Sequence, residues 1–193
     1  MRRSGLSCVA LLWLAVLLGV ALAGCRGSHK TPVPSPGSGL AVASAAFVDG
    51  GAIPSEYTCD GAGVSPPLSW SVTPRGTAAY AVVMQDPDTP GGTFTHWLLL
   101  DLPANVTGLP QGVPAGERPS VGGVQARNDA GVAGYSGPCP PAGPAHHYRV
   151  TVYALDRPLG LVPVPSKGAA LNAMQGHILS QGTLAGTYQR AAR

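Results

Sequence analysis

From residue 40 onward, short apolar runs alternate with Gly- and Pro-rich punctuation, the pattern of a chain that folds as many strands joined by turns. Residues 40–48 read as a first strand, and Pro66-Pro67-Leu68-Ser69-Trp70 leads into a second. The run at 80–85 is apolar almost without interruption and is bounded by turn residues, so it predicts a strand covered on both faces. Residues 94–102 and 148–155 predict two more. Only near the end does the period change: Leu171, Met174 and Ile178 recur at helical spacing behind Ser166, a residue suited to cap a helix. Gly168 and Gly176 each weaken that helix by about 1 kcal/mol relative to Ala, so docking on a sheet must hold it. These elements predict a mainly β fold, an antiparallel β-sandwich with a C-terminal helix. Residues 107–137, rich in Gly, Pro, Gln and Asn, predict a long irregular excursion of the kind that usually carries function or moves.

The first residues follow a different logic. Met1-Arg2-Arg3 precedes an apolar run from Cys8 to Ala23, too short at roughly 15 residues to span a bilayer as a helix but suited to a signal peptide. The run ends in Leu22-Ala23-Gly24-Cys25, which matches the bacterial lipoprotein signal: small residues admit the peptidase and a thiol receives diacylglycerol. That match implies removal of residues 1–24 and acylation of Cys25, with chains such as palmitate. Two or more acyl chains satisfy the requirement for stable anchoring, at about 0.8 kcal/mol per buried methylene. A marginal transmembrane anchor is the competing reading. Residues 25–39, with Pro32, Pro34 and Pro36, then form an extended tether, and 40–193 the folded domain. The expected location is the cell envelope, lipid-anchored and extracytoplasmic, with inner and outer membrane both open.

Composition narrows the partners. The formal charge of +3 includes Arg2 and Arg3, so the processed chain is close to neutral, and no Lys/Arg run is present. Nucleic acid is therefore not an expected partner. Of four cysteines, Cys8 leaves with the signal and Cys25 carries lipid, so Cys59 and Cys139 remain as an even pair. In an oxidising compartment they could join, closing a loop of about 80 residues and contributing roughly 4–5 kcal/mol by the chain-entropy argument; two free thiols are the alternative. Their spacing suits no zinc site, and neither a metal nor a cofactor is expected.

Three segments carry candidate chemistry. Asp86-Pro87-Asp88-Thr89-Pro90 places two carboxylates at the end of the buried strand, where an ordinary turn is the simpler reading. In Phe94-Thr95-His96-Trp97-Leu98-Leu99-Leu100, alternation puts His96 on one face with Phe94, Leu98 and Leu100, within reach of an upstream carboxylate. Gly134-Tyr135-Ser136-Gly137-Pro138-Cys139-Pro140-Pro141 is a stiff loop whose N–H groups could cradle an anion. The strand after it groups His146 with Tyr148, Val150 and Val152, an apolar face that should point inward. His147, Arg149 and Thr151 share the other face, so His147 should be solvated.

Taken together, DPDTP, THW, GYSGPCPP and the HHY that opens a strand ending VYALD resemble the signature blocks of the phosphatidylethanolamine-binding protein family. YTCDG at 57–61, PPLSW at 66–70 and the tail 171–188 resemble its bacterial, Raf-kinase-inhibitor-like branch. The resemblance covers about 40–190. It implies a β-sandwich with a helix near the C-terminus and a small pocket for phosphate-like anions and phosphoryl headgroups. On this chain the implied ligand-binding set is Asp86, Asp88, His96, Gly137, Pro138 and His146, with Pro87 and Tyr148 shaping the pocket. Where relatives often show HRY, this chain has His146-His147-Tyr148, a change at the outward residue.

Two carboxylates and two neutral imidazoles would repel an anion, whereas protonated imidazoles would not, so affinity should rise as pH falls. The sequence thus predicts a tethered binding protein for a small anion or phosphoryl headgroup. A second reading is an inhibitor of another enzyme, a protein partner contacting the 107–137 segment. A third is a hydrolase using His96 or His146 as base, with Ser136 or Thr95 as nucleophile. The chain has neither a G-x-S-x-G elbow nor HExxH, so no catalytic residue is expected.

Overall fold

The structure is a computed structural model that describes residues 39–191 apart from positions 72 and 163. The expected signal peptide, the expected acylation site Cys25 and the expected tether before Gly39 lie outside the described residues.

The apolar run predicted as a doubly covered strand is β4 (Ala79–Asp86), buried at every position except the half-buried Gln85. It lies inside a six-stranded sheet of order β2-β9-β8-β4-β5-β7, between β5 (Phe94–Pro103) and β8 (His146–Leu155), both antiparallel to it. The outer members are β2 (Gly51–Ala52), β7 (Val124–Gln125) and the long β9 (Ile178–Tyr188). A second sheet, β1 (Ala41–Ala43), β3 (Leu68–Ser71) and β6 (Gly108–Leu109), supplies Leu68, Trp70 and Leu109 to one face of the first. There they join Tyr80, Val82 and Met84 of β4 and Tyr148, Val150 and Val152 of β8 in the sandwich core. On the opposite face Ala79, Ala81 and Val83 meet Leu98, Leu100 and the helix α1 (Lys167–Met174) through Ala170 and Met174. Being covered twice is why β4 carries no alternation. The fold is mainly β and mostly antiparallel; among the described residues the one parallel pairing is β2 with β9.

Two expectations need correction. The first strand ends at Ala43 rather than running to residue 48, because the Ser44 hydroxyl donates to the Pro67 carbonyl and accepts the Ala46 amide, which bends the chain out of the ladder. The helix is capped by the Ser166 hydroxyl as expected, but it stops at Met174, and Ile178 opens β9 instead. The period-two signal of β9 is hidden by Gly182 and Gly186, which are needed for close approach: a Cβ at Gly182 would collide with the Leu40 carbonyl, and one at Gly186 would meet Ile53 at 2.7 Å. The 107–137 excursion is irregular yet anchored. Gln125 is fully buried, accepts the Trp97 indole N–H at 2.7 Å and donates to the carbonyls of Pro114 and Gly116.

Strand β5 carries two bulges against β4. Met84 pairs with Trp97 and Gln85 with Thr95, leaving His96 as the extra residue; Tyr80 pairs with Leu102 and Val82 with Leu99, which places a second irregularity at Leu100-Asp101. Asp101 has φ 55°, and its carboxylate takes the amides of Leu159 and Gly160 at 2.6 and 2.9 Å. Each bulge reverses which face successive side chains address. Between them the odd residues Trp97 and Leu99 face the sandwich core, and Leu98 and Leu100 face the helix.

Candidate functional site

The first bulge settles where His96 points. Strict alternation groups it with Leu98 and Leu100, but its ring lies 5.3 Å, edge on, from Tyr148, which faces the sandwich core. The bulge turns His96 away from the helix side and toward His146. The expectation that these imidazoles share a face therefore holds, but through a register irregularity and not through parity.

Strand β4 ends at Asp86, β5 begins at Phe94 and β8 begins at His146, so all three bring polar groups to one end of the large sheet. A cavity of about 460 Å³ opens there, lined by Asp86, His96, His146 and Tyr148 and walled by Phe94, Thr89 and Pro90. The Gly/Pro loop closes it with Ser136, Gly137, Pro140 and Pro141, and Ala130 completes the rim. Cys59 and Cys139, joined as a disulfide with Cα atoms 5.4 Å apart, line it too.

Each imidazole is fixed at Nδ1. His146 donates to Asp86 Oδ2 at 2.8 Å, and His96 donates to the Ser136 carbonyl at 2.8 Å. A carbonyl can only accept, so His96 carries its proton on Nδ1 and turns Nε2 elsewhere. Asp86 is almost fully buried, and its other oxygen takes the Asp88 amide at 2.8 Å. Burial holds His96 below the ordinary imidazole range, against the opposing pull of the Ser136 carbonyl and the Asp86 and Asp129 carboxylates. The Tyr148 hydroxyl is sealed from solvent and has no hydrogen bond of ordinary distance and angle among the described residues, but it faces the Asp86 carboxylate; burial first, then the charge of Asp86 and its hold on the hydroxyl proton, keep the pKa above the usual phenol value.

Of the residues singled out from the sequence, Asp86, His96, Gly137, His146 and Tyr148 line the cavity, and Pro87, Asp88 and Pro138 do not. Asp88 turns outward: its Oδ2 takes the His147 amide at 2.8 Å and the His147 ring at 2.7 Å, which lowers its pKa. The cavity thus contains one carboxylate where two were expected. Pro138 is buried, and its carbonyl accepts the Cys59 amide, clamping the loop to the preceding turn. Gly137 passes so close to that turn that a Cβ would lie 2.8 Å from the Tyr57 carbonyl oxygen. Of the nucleophiles considered, the Ser136 hydroxyl accepts the Asn128 amide, and Thr95 Oγ1 faces Gln85 at 3.4 Å.

Sequence reasoning missed Asn128, which is buried and connects the wall to His96. Its amide nitrogen donates to the carbonyls of His96 (2.8 Å) and Gly134 (3.1 Å) and to Ser136 Oγ (2.8 Å), while its oxygen accepts the amides of Ala130 and Val132 at 3.0 Å. Asn is common in loops for local reasons, and no sequence signal separates this one. The apolar walls Phe94, Pro90 and Ala130 were likewise invisible as lining.

The fold and the site define a β-sandwich with a polar-floored, apolar-walled cavity at one sheet end. The family described as phosphatidylethanolamine-binding protein matches residues 43–189. A UPF0098 protein of Methanothermobacter thermautotrophicus is 48% identical over 145 residues, covering 75% of this chain and 95% of that protein. LppC of Mycobacterium tuberculosis, named as a candidate lipoprotein, is 39% identical over 191 residues, covering 88% of this chain and 90% of LppC. Among solved structures, Escherichia coli YbcL, described as a member of the mammalian family, superposes with a TM-score of 0.69 at 34% identity, covering 78% of this chain and 98% of YbcL. A Chlamydia trachomatis homologue of the family gives 0.70 at 35% identity, covering 80% of this chain and 99% of its own. The chain belongs to the phosphatidylethanolamine-binding protein family.

Proposed function

We propose that this chain is a lipid-tethered, extracytoplasmic binding protein whose cavity holds a small anion or a phosphoryl headgroup. The observation that carries the reading is the convergence of two imidazoles, each fixed at Nδ1, on a single hollow with one buried carboxylate. A volume near 460 Å³ suits a headgroup with some apolar body. With Asp88 outside, protonating one imidazole brings the pocket to neutrality and protonating both makes it cationic.

Affinity for a phosphomonoester therefore rises from pH 7.5 to pH 5.5. Titration calorimetry with phosphorylethanolamine tests this, and equal affinity at the two values rejects it. The tether rests on Leu22-Ala23-Gly24-Cys25 and on the likeness to LppC. Palmitate labelling in cells, lost in Cys25→Ser together with membrane fractionation, supports the anchor; labelling that persists in Cys25→Ser removes it.

A further inference from the structure

The hydrogen-bonding inventory of the cavity is unusual for an anion site. Ser136 contributes a carbonyl and Asp86 a carboxylate to the two Nδ1 atoms, and both of these only accept. Each ring, while neutral, therefore has its proton committed at Nδ1 and keeps a lone pair on Nε2. Neither Nε2 has a hydrogen bond among the described residues, and neither is sealed off as a buried orphan. A neutral cavity thus offers a ligand two imidazole acceptors beside the negative charge of Asp86.

We infer that the site is selective for ligands that bring their own proton, taking a phosphomonoester as its singly ionised P–OH form in preference to a phosphodiester. This rests on the reading of the cavity as a phosphoryl site. A monoester has a second ionisation near pH 6, so around that pH it carries one P–OH to give to an Nε2. A diester is a monoanion at every such pH and has only acceptor oxygens, so it confronts the lone pairs until an imidazole is charged. Burial works against charging His96. One unmet acceptor in a buried site weakens binding by about tenfold.

The titratable groups that bear on this balance are Asp86 on β4, His96 on β5, Asp129 after β7, and His146 and Tyr148 on β8. Asp129 is held by the Lys167 ammonium at 2.6 Å; Asp88 and His147 pair at the surface. None of these supplies a cationic donor inside the cavity. The inference separates two sources of one headgroup, since an intact phospholipid is a diester and a terminal phosphoryl group is a monoester.

The test is calorimetry of the folded domain at pH 6.0 and 8.0 with methyl phosphate and with dimethyl phosphate, which carry no donor other than a P–OH and differ in esterification. Each titration is repeated in two buffers of different ionisation enthalpy to count protons. The expected result is at least a fivefold preference for the monoester at pH 6.0, falling at pH 8.0, where its binding takes up a proton from the buffer. A smaller preference at pH 6.0, or tighter binding of the diester, overturns the selectivity while leaving the phosphoryl site intact. If neither compound binds at either pH, the phosphoryl reading itself fails.

Discussion

Two carboxylate–imidazole pairs lie side by side in this molecule, and they differ in nearly everything but chemistry. Asp86 and His146 meet at 2.8 Å with side chains 3% and 11% exposed; Asp88 and His147, the next candidates along each strand, meet at 2.7 Å with side chains 38% and 62% exposed. Alternation along β8 sends His146 inward and His147 outward, and the two-residue step from Asp86 to Asp88 leaves the end of β4 for the turn. The inner pair is dry, so losing one partner strands a buried polar group; the outer pair is solvated, and water replaces either partner at little cost. Bond length therefore says nothing about which pair matters.

The strongest way to break the contrast is to open the wall that keeps the inner pair dry. Replacing both Cys59 and Cys139 by Ser releases an 80-residue separation and should cost about 4 kcal/mol in denaturant unfolding. It should also weaken phosphorylethanolamine binding. Loss of stability with unchanged affinity would show that the disulfide acts on the fold and not on the cavity.

Next in size, Asp86→Ala should destabilise the domain by about 3 kcal/mol, as the loss of one member of a buried pair does, and abolish phosphoester binding. Denaturant unfolding and calorimetry measure the two effects. The same substitution at Asp88 should leave unfolding unchanged within error and affinity within about twofold. If Asp88→Ala behaves like Asp86→Ala, the inner and outer pairs do not differ in kind.

A smaller effect follows from His96. Its native pKa lies below the value near 6.5 of an unfolded chain, so the unfolded state binds the proton first. The stability that neutral His96 supports is complete above about pH 6.5 and declines as pH falls from there toward the native value. Thermal unfolding of the unliganded domain should show this decline, reduced in His96→Gln. A saturating phosphomonoester should offset it, because ligand binding favours the folded state.

The smallest effect belongs to the outer pair. Hydrogen bonding from the His147 ring and amide keeps Asp88 below its ordinary pKa, so any contribution is present above about pH 3.8 and lost as pH falls further. Nuclear magnetic resonance titration should find the Asp88 shift reduced in His147→Ala, with ligand affinity unaltered.

Much of this architecture was legible in order of residues. The doubly buried β4, the capped helix, the inward His146 and the outward His147 follow from local pattern, because burial on two faces, a hydroxyl at an N-cap and period-two alternation leave direct marks. The long strand β9 was not legible, since its glycines answer to Leu40, Ile53 and Phe47, residues more than 130 positions away. His96 shows the limit most clearly: its inclusion on the cavity face depends on a bulge that exists only in the pairing of β5 with β4.

The sequence by itself determined the family, the β-rich class and the set of polar residues available, because these are properties of composition, spacing and local order. Tertiary structure decided which of those polar residues face one another. It placed Asp88 outside with His147, fixed both imidazoles at Nδ1 and made Asn128 the tie between His96 and the cavity wall. The physical reason is that a hydrogen-bond partner and a face of a sheet are set by register between strands distant in the chain, and no single segment carries that information.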